Sequence, residues 1–127
     1  MLEQNERELL ARIGFFLCRR GRIPEAELIF NGLAASEPTR DGPLAGLALC
    51  RIIKGENEAA VALLEPRLKA GSPIQAILML YKLTALGTSG ELAKAAAVRD
   101  EMREAGMTVE LIQAEQLIAE LSRLNVK

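Results

Sequence analysis

The sequence contains no histidine and only two cysteines, Cys18 and Cys50, far apart along 127 residues. Histidine is the commonest general acid–base residue and a frequent metal ligand, so its absence excludes chemistry of that kind. Two distant cysteines cannot supply the thiolates of a Cys-rich zinc site. We therefore expect a protein that is not an enzyme and that holds no metal or cofactor.

Aromatic residues and long apolar runs are also scarce. Aromatics make up 3% of the chain although 50% of it is hydrophobic, mostly Ala and Leu, and this balance favours helices over a β-sandwich. No run approaches the roughly 18 apolar residues of a membrane span, and residues 1–5 lack the apolar segment of a secretory signal. We expect a cytoplasmic protein. The two cysteines are then interpreted as small buried hydrophobes in a reducing compartment.

Charge is nearly balanced, with 16 basic and 17 acidic residues and a net charge of -1. Such a chain has no overall field to steer it onto nucleic acid or an anionic membrane surface. We expect neither kind of partner.

The sequence does contain a repeat of about 34 residues. Its clearest mark is a glycine followed five positions later by an alanine, and the third copy is one residue out of step. The three pairs are Gly21 and Ala26, Gly55 and Ala60, and Gly90 and Ala95. A period of this length predicts stacked helical hairpins.

Apolar spacing at three and four residues, punctuated by glycine and proline, predicts seven helices in a single domain of 127 residues. Pro24, Pro43 and Pro73 are placed in first turns, Asn57 and Thr108 are predicted as N-caps, and Pro66 is predicted to kink its helix. The predicted helices span 3–20, 24–36, 43–54, 58–70, 73–86, 91–105 and 109–124. They group into repeats 7–40, 41–73 and 74–107, followed by a capping helix at 109–124.

The first copy resembles the tetratricopeptide repeat. The residues that carry this resemblance are Leu10, Ile13, Gly14, Leu17, Ala26, Phe30, Leu33 and Pro38. The resemblance implies an all-α, right-handed solenoid of three hairpins closed by a C-terminal capping helix. The later copies depart from the pattern at Arg51, Arg67 and Arg99. The third copy also looks like the RNA-reading pentatricopeptide motif, but three repeats and a neutral charge argue against RNA binding.

In tetratricopeptide proteins the first helix of each pair lines a concave groove that binds a partner. Transferring those positions to this chain gives candidates that are apolar in all three copies. They are Ala11, Phe15, Cys18, Ala45, Leu49, Ile52, Met79, Leu83 and Leu86. The Lys, Arg and Asn residues with which some relatives clamp a peptide carboxylate are absent from these positions. The groove is therefore expected to bind an amphipathic helix.

Size, repeat number and the apolar groove together resemble the small tetratricopeptide-like chaperones of bacterial type III secretion systems, which hold secretion-system subunits before export. The resemblance implies a chaperone or adaptor that shelters an amphipathic helix of a client protein. The alternative is a structural module for oligomerisation or scaffolding. In that case the same apolar residues complete the core or form the seam of a homodimer.

Overall fold

The computed structural model describes residues 3–125, with side chains as far as Arg123. Over this range the chain forms seven α-helices and no β-strand. The helices are α1 (Gln4–Arg19), α2 (Ile23–Ser36), α3 (Asp41–Ile53), α4 (Asn57–Ala70), α5 (Gln75–Thr88), α6 (Leu92–Glu104) and α7 (Thr108–Asn125). The prediction of an all-α fold with about seven helices is confirmed.

The turn between the two helices of each pair is built in the same way around a glycine with positive φ. Gly21 has a φ of 77°, and the N–H of Arg22 donates to the carbonyl of Leu17 at 2.8 Å. The turns at Gly55 and Gly90 repeat both features. A left-handed residue followed by this backbone bond is the glycine-based C-cap that ends many helices.

The alanine five residues after each of these glycines lies in the first turn of the next helix. Ala26, Ala60 and Ala95 are all completely buried. A larger side chain there would push the two helices of a pair apart. The glycine-to-alanine interval in the sequence thus records a sharp turn followed by close helix packing.

The helices form two layers. Helices α1, α3, α5 and α7 contact one another in succession, whereas α2, α4 and α6 make no contacts among themselves. The odd-numbered helices therefore form the more tightly packed, inner layer, and the even-numbered helices are splayed on the outer side. This places the first helix of each pair on the side where the sequence predicts a groove.

The core runs along the chain as three clusters of apolar side chains, and no polar or charged side chain is buried among the residues described. The first cluster surrounds Phe30, and the second surrounds Leu64 and Leu78. The third joins Leu83 and Met102 to α7. Helix α7 thus completes the last cluster, which is what a terminal helix does in a short stack.

Helix α5 differs most from its predicted span, because it begins at Gln75 rather than Pro73 and continues to Thr88. Before the helix, the Ser72 Oγ accepts a hydrogen bond from the N–H of Ile74 at 3.1 Å, and the Gln75 side chain accepts one from the N–H of Ser72. These bonds turn the chain ahead of the helix. At the other end Gly87, predicted as loop, is helical and buried.

Two predicted N-caps are wrong. Asn57 is the first residue of α4, after Glu56 in the cap position, and Thr108 is the first residue of α7. The Asn57 side chain has a different partner, since its Oδ1 accepts a hydrogen bond from the hydroxyl of Thr88 at 3.3 Å. Helix α4 runs through Pro66, and the kink there stays a prediction.

Candidate functional site on the inner helices

The nine predicted groove residues fall into two groups by exposure. Four lie on α1 and α3 and are half-buried, so part of each side chain faces solvent. These four are Ala11, Phe15, Leu49 and Ile52. The other five are buried: Cys18, Ala45, Met79, Leu83 and Leu86.

The three candidates on α5 lie in the third core cluster, with residues of α6 and of the capping helix. Met79, Leu83 and Leu86 belong to one cluster with Ala114 and Ile118 of α7, and their exposed fractions are 7%, 0% and 9%. In this arrangement they complete the core and leave little surface for a partner.

The third copy has a one-residue offset, and this offset explains their position. One residue turns a helical side chain by about 100° around the axis, so an uncorrected register selects the wrong face. Counting back from Gly90 instead selects Leu80, Thr84 and Gly87 in place of these three candidates. The structure leaves Leu80 and Thr84 half-buried, whereas Gly87 is buried. The offset of Gly90 was thus the sequence signal for Leu80 and Thr84.

Phe15 is held in place by the core beneath it. Its ring meets Phe30 edge to face, with centroids 4.8 Å apart and planes at 63°. Phe30 is itself completely buried, and Leu49 packs against the same cluster. Phe15 and Leu49 therefore belong to a fixed surface rather than to a mobile one.

The structure also brings the first helices of the first and second copies together. The candidate Ala11 of α1 lines a cleft of about 70 Å³ with Gly42 and Pro43 of α3. Contact between α1 and α3 thus makes one continuous surface from two repeats.

Tyr81 is a further residue of this region, which the sequence analysis did not select. It is half-buried on α5, and burial is the main reason that its pKa is raised. Cys18 raises this pKa further, and Arg19 lowers it. The phenol of α5 is therefore within electrostatic reach of α1, two inner helices away.

Two arginines on α1 remain without a carboxylate. Arg12 and Arg19 are exposed and form no ion pair with the residues described. They are seven positions apart, so Phe15 lies between them on the same side of the helix. By contrast, Lys54, which directly follows α3, pairs with Glu27 of α2 at 2.9 Å. Over the described range, the unpaired positive charge next to the half-buried candidates Phe15 and Leu49 is thus concentrated on α1.

Two other kinds of site are absent from the residues described. No cluster of three or more cysteine or carboxylate side chains there is placed to bind a metal ion. None of the described helices combines the length and apolarity needed to cross a membrane.

Comparison with known proteins gives a likeness of fold. No protein-family model matches the sequence, and no curated protein matches it significantly. Among solved structures, the fold is similar to the crystal structure of the Yersinia enterocolitica type III secretion translocator chaperone SycD, in an alternative dimer. The TM-score is 0.69, the match covers 98% of each chain, and 17% of the aligned residues are identical. The whole chain therefore has a fold similar to that of a type III secretion translocator chaperone.

Proposed function

We propose that this protein is a cytoplasmic chaperone or adaptor that holds an amphipathic helix of a client protein against its inner helices, as a type III secretion chaperone would. The observation that carries the proposal is a strip of half-buried apolar side chains, formed by Phe15, Leu49 and Ile52. This strip lies on the inner layer of a fold similar, over 98% of its length, to a translocator chaperone.

The chemistry of the strip suits a helix better than an extended peptide. A peptide bound by strand addition needs an open sheet edge, and the described residues form no strand. A peptide bound by its terminal carboxylate needs Lys, Arg or Asn at the groove positions, and none of the nine candidates is one of these residues. A helix instead presents apolar anchors at positions i, i+3, i+4 and i+7 to an apolar surface. Phe15 is already fixed by its contact with Phe30, so binding would cost little further ordering of this side chain.

Arg12 and Arg19 add a charge requirement to the client. They flank Phe15 on α1 and form no ion pair with described residues. Aspartate or glutamate on the polar side of a bound helix would pair with them. Such pairs act mainly on the association rate and on the choice of partner. The proposed client is therefore an amphipathic helix with acidic residues beside its apolar face.

The test uses designed 20-residue helical peptides with leucine at the four anchor positions and a fluorescent label. One peptide carries glutamate beside the apolar face, and a matched peptide carries lysine. We expect the acidic peptide to bind the purified protein more tightly, as measured by fluorescence anisotropy. Leu49→Asp together with Ile52→Asp should weaken binding at least tenfold, because each aspartate places a charge against an apolar anchor.

Leu28→Asp is the matched control, because Leu28 is 76% exposed on the outer helix α2. It should leave binding unchanged. Leu83 is unsuitable for such a test, since its side chain is fully buried and an aspartate there would unfold the third cluster. Equal loss of binding from Leu28→Asp and from the α3 variant, or no binding of either peptide, would contradict the proposal. If the acidic peptide binds as expected, co-purification with proteins encoded beside this chain would identify the client.

A second candidate function is self-association, and a different surface favours it. Leu9, Ile13 and Phe16 form an exposed stripe on α1, with exposed fractions of 57%, 40% and 52%. Their counterparts one repeat later are Pro43, Leu47 and Cys50. On α3 these positions face the preceding helix pair: Pro43 and Cys50 are buried, and Leu47 packs against the Phe30 cluster.

The stripe on α1 is thus a stacking surface with no helix pair in front of it among the described residues. A second copy of the chain would cover it, and the similar SycD structure is that of a dimer. Sedimentation of the purified protein tests this candidate. We expect a dimer that Ile13→Asp and Phe16→Asp convert to a folded monomer, and a wild-type monomer at high concentration would exclude the candidate.

A further inference from the structure

The two cysteines, distant in the sequence, meet inside the fold. Cys18 on α1 and Cys50 on α3 have their Sγ atoms 3.3 Å apart, and they are 2% and 0% exposed. A disulfide bond joins sulfurs about 2.05 Å apart, so the two atoms would have to approach by only about 1.3 Å. Helices α1 and α3 are in direct contact, so no large movement separates the dithiol from the bonded state.

We propose that Cys18 and Cys50 form a thiol-oxidation site, which an oxidant of the peroxide class converts into an intrachain disulfide between α1 and α3. The inference rests on this pair of residues alone. It holds whether or not the inner helices bind a client, and its experiment needs no partner protein.

Burial raises the pKa of both thiols. The hydrogen bond with Cys50 lowers the pKa of Cys18 in part, and the pKa of Cys50 is raised to about 12. The thiolate is the nucleophile, so oxidation begins when one of the two thiols ionises. Either sulfur can donate in the contact between them, so either thiol can react first, and the same steps apply with the two exchanged.

The reaction has two balanced steps. The Cys18 thiolate attacks one oxygen of hydrogen peroxide and the O–O bond breaks, which gives a sulfenic acid on Cys18 and hydroxide. The hydroxide takes up the proton that Cys18 released. The sulfur of Cys50 then attacks the Cys18 sulfur, the S–O bond breaks, and the hydroxyl leaves as water with the Cys50 proton. Two thiols are oxidised and one peroxide is reduced to two waters.

The bond would act as a staple between the first two repeats. It closes a loop between residues 32 positions apart, and disulfides stabilise mainly by restricting the unfolded chain. For a loop of this length in a domain of this size, the midpoint of thermal unfolding should rise by roughly 10 °C. The rate of formation should be low, because both sulfurs are shielded from solvent until the helices open locally.

The experiment uses the full chain, purified under reducing conditions and then exposed to hydrogen peroxide. After quenching and denaturation, free thiols are labelled with a maleimide and the intact mass is measured. The expected product is a monomer that has lost two hydrogen atoms and takes up no label. Peptide mapping should find residues 18 and 50 linked, and the unfolding midpoint should rise and return on reduction. The variants Cys18→Ala and Cys50→Ala should each give no such product.

Other products would overturn the inference. These are two thiols that still label in full, a disulfide that joins two chains, or sulfinic and sulfonic acids on either cysteine in place of a disulfide. An oxidised monomer with a lower unfolding midpoint than the reduced protein would show that the fold does not accommodate the bond. The wild-type measurement alone decides among these outcomes, so the test does not depend on the folding of either variant.

Discussion

The ring of Phe30 lies so close to the backbone of Gly46 that a β-carbon placed on Gly46 would be 2.4 Å from its Cε1 atom. Real β-carbons essentially never approach another heavy atom so closely. Gly14 of α1 faces the same ring, where a β-carbon would be 2.7 Å from Cζ. Phe30 thus fills a slot between two glycines of neighbouring inner helices. The slot sets the separation of α1 and α3, which carry the half-buried apolar strip of the proposed client site.

Gly46→Ala should therefore lower the free energy of unfolding by about 2–3 kcal/mol, because a fully buried ring cannot move aside without repacking its cluster. The measurement is urea unfolding followed by circular dichroism. Gly32→Ala in α2 is the control, since a β-carbon on Gly32 would meet no packed neighbour within 4 Å. That variant should gain about 0.5–1 kcal/mol, because alanine favours a helix over glycine. If Gly46→Ala and Gly32→Ala were equally stable, the space between Phe30 and Gly46 would accommodate a β-carbon without repacking.

The sequence predicts the fold best in the first copy of the repeat, where the residue spacing is most regular. In the first copy the turn glycine, the small residue at Ala26 and the aromatic at Phe30 keep their expected spacing, and the structure gives each the predicted place. Five of the six junctions between helices carry a glycine with positive φ, and the sixth, between α2 and α3, contains Pro38. The five glycines are Gly21, Gly55, Gly71, Gly90 and Gly106.

The site was harder to predict, because exposure depends on what packs against a face. Met79, Leu83 and Leu86 are as apolar as Leu49, but they lie one residue away from the half-buried side of α5 and pack in one cluster with residues of α6 and α7. Apolar periodicity identifies which side of a helix is buried but does not say which helix covers it. Ion pairs such as that between Lys54 and Glu27 depend in the same way on contacts between residues distant in the sequence.

Gly87 shows that an apparent loop glycine can serve packing. It lies in the last turn of α5, where a β-carbon would be 2.7 Å from the Cδ1 atom of Leu121 in α7. The obstacle is the end of a flexible side chain on a terminal helix, unlike the enclosed ring above Gly46. We expect Gly87→Ala to change the unfolding free energy by less than about 1 kcal/mol, because a gain in helix propensity offsets the displacement of Leu121.

The local effect of Gly87→Ala should still be visible. Amide hydrogen exchange should become faster in α7 and remain unchanged in α2, since only the contact between α5 and α7 is disturbed. Uniformly unchanged exchange would mean that Leu121 adapts without loosening the capping helix. A loss of stability as large as that of Gly46→Ala would mean that α7 is as tightly held as the first cluster.

Arg67 replaces an apolar residue of the repeat pattern, and its contacts explain why. Its guanidinium donates to the carbonyl of Pro38 at 2.7 Å and lies 3.4 Å from the carboxylate of Asp41. Asp41 also accepts a hydrogen bond from the hydroxyl of Ser72 at 2.5 Å. Arg67 therefore holds the turn before α3, and Asp41 links Arg67 to Ser72 in the turn before α5.

Arg67→Met keeps the apolar stem and removes the guanidinium. It should cost about 1–3 kcal/mol, because the carbonyl of Pro38 and the half-buried Asp41 lose their charged partner. Equilibrium urea unfolding measures the difference. Arg22→Ala is the matched control, since its pair with Glu25 is exposed, and it should change stability by less than about 0.5 kcal/mol. If the two variants changed the free energy of unfolding equally, the Arg67 contacts would stabilise the fold no more than an exposed ion pair does.

The raised pKa of Cys50 predicts how stability changes in alkaline solution. In the unfolded chain a cysteine thiol ionises near its ordinary pKa of about 8.5, whereas in the folded protein that of Cys50 is raised to about 12. Between these values the unfolded state has lost a proton that the folded state keeps. Because the unfolded state then binds fewer protons, the free energy of unfolding falls as pH rises.

The wild type should therefore lose stability relative to Cys50→Ala as the pH rises from 8 to 11, by at most about 1.4 kcal/mol per pH unit. Both proteins are unfolded with urea in the presence of a reductant, so that no disulfide forms. Groups distant from Cys50 are common to both proteins, and their contributions largely cancel in the difference. Cys18 is also present in both, and Cys50→Ala removes the hydrogen bond that lowers its pKa, so Cys18 offsets part of the difference. A difference that stays constant from pH 8 to pH 11 would show that the Cys50 thiol ionises as easily in the folded protein as in the unfolded chain.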